Sequence, residues 1–195
     1  MNNPKEVFII AGPNGSGKTT FAVNLIDDGW IEHFVNADEI AKEYKNLGVQ
    51  SADIKASREF LKTLDALEKG NESFAFETTL SGKAYLKRVR RLQEKGWIVS
   101  LFYLVLPSPE VSVGRVAERV AHGGHNIPIE DIYRRFPKSL NRFYNDFLPL
   151  VDYAECILNE EEPLSVFKSF KGRIFEKDEV LFSQFLKLEG LCNQK

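Results

Sequence analysis

Residues 12–19 read Gly12-Pro13-Asn14-Gly15-Ser16-Gly17-Lys18-Thr19 and fit the pattern G-x-x-x-x-G-K-[ST]. No other stretch limits the fold as much. Glycines at these places let successive backbone N–H groups curl inward and face phosphate oxygens. The loop must open a helix, because a helix N-terminus favours anions. A lysine then reaches the outer phosphates as a compact positive charge. The next hydroxyl, on Thr19, takes a Mg²⁺ coordination site. Thr20 continues the helix start and joins the same candidate nucleotide-binding set. The motif follows an apolar run at 7–11 and precedes a helical pattern at 18–26, the context such a loop needs.

The rest of the chain alternates in the same way. Strand-like runs fall at 33–36, 73–78, 97–106 and 154–158. Helical patterns fall at 37–70, 83–95, 109–121 and 130–143, the first ended by Gly70-Asn71. Strands alternating with helices predict an α/β fold with a parallel sheet covered on both faces. The end departs from this rhythm. Residues 164–175 alternate around Lys171-Gly172 as a hairpin, and 178–188 read as a closing helix.

A chain of 195 residues is one domain by length, taken here as 1–195. Within it, 122–135 reads as a lid region and 160–195 as a C-terminal extension. Fifteen Phe against one Met predict an aromatic, stiff core. The formal net charge of −2 excludes a globally basic nucleic-acid binder, and 43% hydrophobic residues exclude a disordered chain. Cys156 and Cys192 make no disulfide framework. Glu160-Glu161-Glu162 reads as a solvated loop. The start shows no secretory signal, and the longest apolar run, 98–106, is too short to span a membrane. The chain is expected to be cytoplasmic.

Two carboxylates sit at strand tips, where open α/β sheets bind ligands. Asp38 follows the second strand. It reads either as an acceptor of a hydroxyl proton during transfer or as a helix N-cap. Glu77 ends the third strand. It reads either as a group for Mg²⁺ or a substrate hydroxyl, or as a surface residue. Arg115, Arg119, Arg134, Arg135, Lys138 and Arg142 surround the loop His122-Gly123-Gly124-His125. Arginines there can close over phosphates. Arg119 and Arg135 are the functional choices, with Arg134 close behind. Arg88, Arg90 and Arg91 read as a solvated face with little acid nearby. His122 and His125 read as lid residues rather than a metal pair, and His33 as structural.

The stretches AGPNGSGKTT, FVNADEIA, FAFETTLSG and ERVAHGGHNIP-EDIYRR, in this order, resemble the zeta-toxin-type P-loop kinases, closest to their short stand-alone bacterial members. The resemblance covers roughly 7–158. It implies a P-loop NTPase with an adenylate-kinase-like, five-stranded parallel sheet, and it implies ATP and Mg²⁺. Lys18 would be the phosphate-loop lysine and Asp38 the catalytic base. Glu77 and Thr79 would bind substrate, and Arg119 and Arg135 would act on the phosphates. Zeta toxins proper phosphorylate UDP-N-acetylglucosamine. They carry an arginine two positions beyond the threonine that matches Thr79. Ser81 stands there, with Lys83 the nearest stand-in.

The expected function is therefore a Mg²⁺-ATP-dependent kinase acting on a hydroxyl of a small molecule, such as a nucleotide sugar. Two alternatives stay open. One is a housekeeping metabolite kinase that is not a toxin. The other is a nucleotide-gated binding protein with weak ATPase activity. A protein antitoxin is a partner the resemblance implies; nucleic acid and membrane are not expected partners.

Overall fold

The computed structural model describes residues 5–70, 72–124 and 126–193, the side chains of 189 and 191–193 excepted. Asn71, His125 and the Cys192 side chain, singled out in the sequence, lie outside that set. In chain order the elements are β1 (Glu6–Ala11), α1 (Lys18–Asp27), β2 (Phe34–Val35), α2 (Ala37–Asn46), α3 (Ala52–Gly70), β3 (Phe74–Thr78), α4 (Ala84–Glu94), β4 (Ile98–Val105), α5 (Pro109–Ala121), α6 (Ile129–Arg142), β5 (Tyr153–Asn159), β6 (Pro163–Phe170), β7 (Arg173–Lys177) and α7 (Glu179–Asn193).

The strands form one sheet in the order β2-β3-β1-β4-β5-β6-β7. The first five in that order run parallel, with β1 pairing β3 on one side and β4 on the other. This is the α/β sheet of five parallel strands. The C-terminal hairpin does not stand apart from it. β6 pairs antiparallel with β5, and β7 with β6, so the hairpin widens the sheet to seven strands.

Alternation along β1 explains why both faces are covered. Val7, Ile9 and Ala11 enter one core with Phe74, Phe76, Leu101 and Tyr103. Phe8 and Ile10 enter the other with Ala22 of α1, Ile31 and Ala75. The first core is aromatic, as composition predicts: the Tyr103 and Phe143 rings stack at 4.1 Å, Phe167 stacks on Phe143 at 6.0 Å, and Phe185 packs edge-on to both Phe143 and Phe167. A π-type turn, Phe143–Phe147, follows α6 and buries both of its end rings completely.

Two stretches differ from the sequence expectation. The helical pattern at 37–70 is broken. Gly48 takes φ 68°, the Val49 amide donates to the Tyr44 carbonyl, and the Gly48 amide donates to the Lys45 carbonyl. That is a glycine C-terminal stop closing α2 before α3 begins. Apolar residues on both sides of the break keep helical spacing, which hid it. The reading of Arg88 and Arg91 as a solvated face is also corrected. Arg88 Nη1 donates to Glu68 Oε2 at 3.2 Å, Arg91 Nη2 to the same oxygen at 2.7 Å, and Lys95 Nζ to Glu68 Oε1 at 2.9 Å. These bonds lock α4 onto α3. The acid lies about 20 residues upstream in sequence, and only helix packing brings it close. Arg90 is exposed. Among the described residues, no helix is long and apolar enough to cross a membrane.

Candidate active site

The strand order turns at β1, and the crevice at the carboxyl end of such a sheet is where ligands bind. The loop between β1 and α1 lies there. Gly12 packs so tightly under β4 that a β-carbon on it would overlap the Leu104 carbonyl oxygen. Gly17 caps α1 at φ 82°, and a β-carbon there would overlap Asn159 Nδ2. Both positions therefore require glycine for contact as well as for conformation.

The loop is held from outside. Asn159, at the tip of β5, donates from Nδ2 to the Ser16 carbonyl at 2.7 Å. Its own carbonyl accepts from Arg115 Nη1 at 2.8 Å. The Ser112 hydroxyl of α5 donates to the Asn14 carbonyl. Lys18 curls over the loop, and its Nζ donates to the Pro13 carbonyl at 2.9 Å. Asn14 Oδ1 and Ser16 Oγ are buried and make no hydrogen bond among the described residues. The cradle thus carries polar capacity that its own fold leaves unspent.

A cavity of about 560 Å³ opens above the loop. Asn14, Gly15, Gly17, Lys18, Thr19 and Thr20 form its floor, while Gly12, Pro13 and Ser16 are buried beneath. Asp38, Glu77, Thr79, Arg119 and Arg135 all line it. Every residue chosen from the sequence for catalysis or substrate binding therefore reaches one cavity. Arg134 does not line it; its Nη2 bonds Asp131 Oδ1 at 2.5 Å on the exposed face of α6. Arg135 also touches Asp131, through Oδ2 at 2.9 Å, but from the cavity side.

The two readings of Asp38 separate here. Asn36 is the N-cap of α2, its Oδ1 accepting from the Asp38 amide at 2.8 Å and the Glu39 amide at 3.4 Å. Asp38 is therefore spared the capping role and stands exposed in the first turn. Glu77 Oε2 accepts from the Thr19 hydroxyl at 2.8 Å, joining the β3 tip to the loop. Burial pushes the Glu77 carboxyl above the usual carboxylate range, against the pull of Lys18 and the Thr19 hydrogen bond, and Asp38 and Glu39 push it further. Burial also pushes the Lys18 ammonium below its usual range, against Glu77 and Asp38. Thr79 and Ser81 share a hydroxyl hydrogen bond at 3.0 Å beside Leu80, a buried residue at φ 50°. Lys83 does not take the place of an arginine near Ser81. Its Nζ points to Asp146 Oδ1 at 4.0 Å and the side chain is mostly exposed.

The sequence reading passed over Asn36, Ser112 and Asn159, and Ser57, Tyr85 and Ile127 on the cavity wall. Asn159 carries the same strand-tip signal that found Asp38 and Glu77. Asn36, at the tip of β2 and just before α2, carries it too, whereas Ser57, Ser112 and Tyr85 carry none, since a Ser or Tyr on a helix has no local mark of its neighbours. His33 pairs with Glu72 at 2.9 Å and takes no part in the cavity.

Similarity to known proteins follows the same outline. An uncharacterized protein of Haemophilus influenzae is 32% identical over 130 residues, which is 67% of this chain and 90% of that protein. The solved AvrRxo1-ORF1:-ORF2 complex with ATP contains a chain of like fold: TM-score 0.71, 17% identity, 96% of this chain covered. This chain spans 64% of that chain's length. The PezAT toxin–antitoxin system of Streptococcus pneumoniae gives TM-score 0.58 at 15% identity, covering 100% of this chain and 89% of that one. At such identities the likeness is one of fold, an α/β P-loop NTPase fold. The AAA domain family matches residues 7–134, which carry the phosphate loop, both strand-tip carboxylates and Arg119, and the chain belongs to that family.

Proposed function

We propose that this protein is a Mg²⁺-ATP-dependent kinase that transfers a phosphoryl group to a hydroxyl of a small molecule. The reading rests on one observation: Lys18, Asp38, Glu77, Arg119 and Arg135 converge on a single cavity above the phosphate loop. In the transfer, the acceptor O–H gives its proton to the Asp38 carboxylate. The acceptor oxygen bonds to the γ-phosphorus, and the bond to the β–γ bridging oxygen breaks with its electron pair leaving on ADP. Lys18 and the loop amides hold the triphosphate. Glu77 and Thr79 orient the acceptor. Arg119 and Arg135, on the two helices flanking the 122–128 loop, close over the phosphoryl oxygens as a lid.

The residues fit Mg²⁺. Thr19 and Glu77 offer hard oxygen ligands 2.8 Å apart, and two buried loop oxygens make no hydrogen bond among the described residues. When bound, the ion supplies charge neutralisation at the phosphates. The unit is a single domain over 1–195, with the hairpin and α7 as its extension.

A nucleotide sugar is the acceptor the zeta-toxin resemblance puts first. A protein antitoxin is the partner class it brings, in line with the two-component systems of similar fold. Labelled ATP and a panel of hydroxyl compounds test the kinase reading against an Asp38→Ala control. Transfer no faster than that control would sink it. Growth arrest by wild type but not by Lys18→Ala tests the toxin reading; harmless expression of both argues for a metabolite kinase.

A further inference from the structure

The cavity is divided by charge. Its cations Lys18, Arg115, Arg119 and Arg135 stand on the phosphate loop and on α5 and α6. The facing wall, from α2, α3, β3 and α4, presents Asp38, Ser57, Glu77, Thr79 and Tyr85. That wall continues past Ser57 and Tyr85, which it shares, into a groove of about 370 Å³.

Most cations near this wall are engaged; in an adjoining groove beside Asp38 and Glu77, Lys45 pairs with Asp53 at 2.8 Å and Lys42 is exposed. Arg88 Nη2 bonds Asp65 Oδ1 at 2.6 Å and its Nη1 bonds Glu68, which also takes Arg91. Lys83 faces Asp146. Lys87 lines the groove and is exposed. Near the transfer point the wall thus offers two carboxylates, three hydroxyls and a half-buried ring. The carboxylates accept hydrogen bonds from O–H or ammonium N–H and repel a second oxyanion, while the hydroxyls donate to and accept from a neutral polyol. The ring of Tyr85, held by Phe60 and Phe76 at 6.5 and 5.1 Å, gives the C–H face of a saturated ring something to pack on.

We infer that the acceptor is an uncharged or cationic polyhydroxy compound, of the sugar or amino-sugar class, that carries no phosphoryl group. This rests on the kinase reading above. The acceptor hydroxyl meets Asp38, neighbouring hydroxyls or an ammonium meet Glu77 and Thr79, and the ring lies against Tyr85. The anionic partner in the cavity is the nucleotide alone. The step is the balanced transfer already given, yielding ADP and a sugar phosphate monoester.

The test is acceptor-dependent ADP release from Mg²⁺-ATP by the full chain. The acceptors are a broad set of hydroxyl compounds in matched neutral, amino and phosphorylated forms, including N-acetylglucosamine, glucosamine, glucosamine 6-phosphate and UDP-N-acetylglucosamine. The expected result is a kcat/KM at least about tenfold higher for a neutral or amino form than for its phosphorylated counterpart. A phosphorylated or nucleotide-linked form at the top of the ranking overturns this inference and leaves the kinase reading standing. ADP release from none of them, with nucleotide binding intact, defeats both. A second readout is Lys87→Glu. For the best acceptor its KM is expected to hold or fall; a rise of about tenfold would reveal an anionic tail at the groove mouth and overturn the inference.

Discussion

Gly17→Ala is the sharpest perturbation of the phosphate loop, because two separate costs meet there. The backbone sits at φ 82°, where an L-residue costs about 1–2 kcal/mol. The new β-carbon would also overlap Asn159 Nδ2, so the 2.7 Å bond to the Ser16 carbonyl must open, at about 0.5–1.5 kcal/mol. The sum is about 2–3 kcal/mol, or roughly 5–10 °C in Tm for a domain of this size. Asn159→Ala removes the same bond and makes room, costing about 1 kcal/mol alone. In the double variant the overlap is gone and the bond is counted once. The double variant should therefore cost about 1 kcal/mol less than the two single costs added. Urea unfolding of the four proteins closes the cycle. Repeating it with ATP adds the binding readout, since ligand at about 100 Kd stabilises wild type by about 2.7 kcal/mol and should stabilise Gly17→Ala much less. Additivity within about 0.3 kcal/mol would refute the claim that Asn159 is the group that forbids a side chain at 17.

Further outcomes are expected in the same spirit. Lys18→Ala and Arg135→Ala should each lower kcat by about 10²-fold or more, whereas Arg134→Ala, which changes only a surface pair with Asp131, should stay near wild type; steady-state kinetics with the best acceptor decide it. Glu77 has its folded pKa raised by burial, so its contribution to stability is complete below the ordinary glutamate range and is lost as pH rises through the folded value. Glu77→Gln should thus raise the nucleotide-free Tm at pH 8, and the gain should vanish near pH 4; equal Tm differences at both pH values contradict it. Glu68 has the opposite sign. Burial works against it, but the Arg91 and Lys95 hydrogen bonds hold its carboxyl below the usual range, so its stabilisation is present at neutral pH and fades as pH falls below the ordinary carboxylate value. Glu68→Gln should cost about 1.5–3 kcal/mol at pH 7, measured by urea unfolding, with a smaller loss in acid.

Much of the architecture was legible because local signals and the fold agree. Alternating apolar runs and helical periods gave β1, β3, β4 and β5, and the start and end of α5 at Pro109 and Ala121 coincide with the reading. The break at 47–51 escaped because apolar spacing continues across it, and Gly48 alone marked the stop. The hairpin was visible, but its pairing with β5 was not, because strand order depends on long-range contacts. The strand-tip rule found Asp38 and Glu77. The same rule would have found Asn159, had polar residues at every strand end been weighed together. Ser112 gave no such signal, as its bond is to a carbonyl 98 residues away.

The residues alone determined that this chain has a phosphate cradle. Glycine spacing, a lysine at 18 and a helix start are local facts, and backbone sterics leave them little else to form. The partition of charge around that cradle was decided only by the tertiary structure. Asn36 took the cap and freed Asp38, and Glu68 gathered Arg88 and Arg91. Lys83 turned to Asp146, and Arg135 rather than Arg134 faced inward. Such choices follow from which helices pack together, and Coulomb interactions depend on distance in space rather than in sequence.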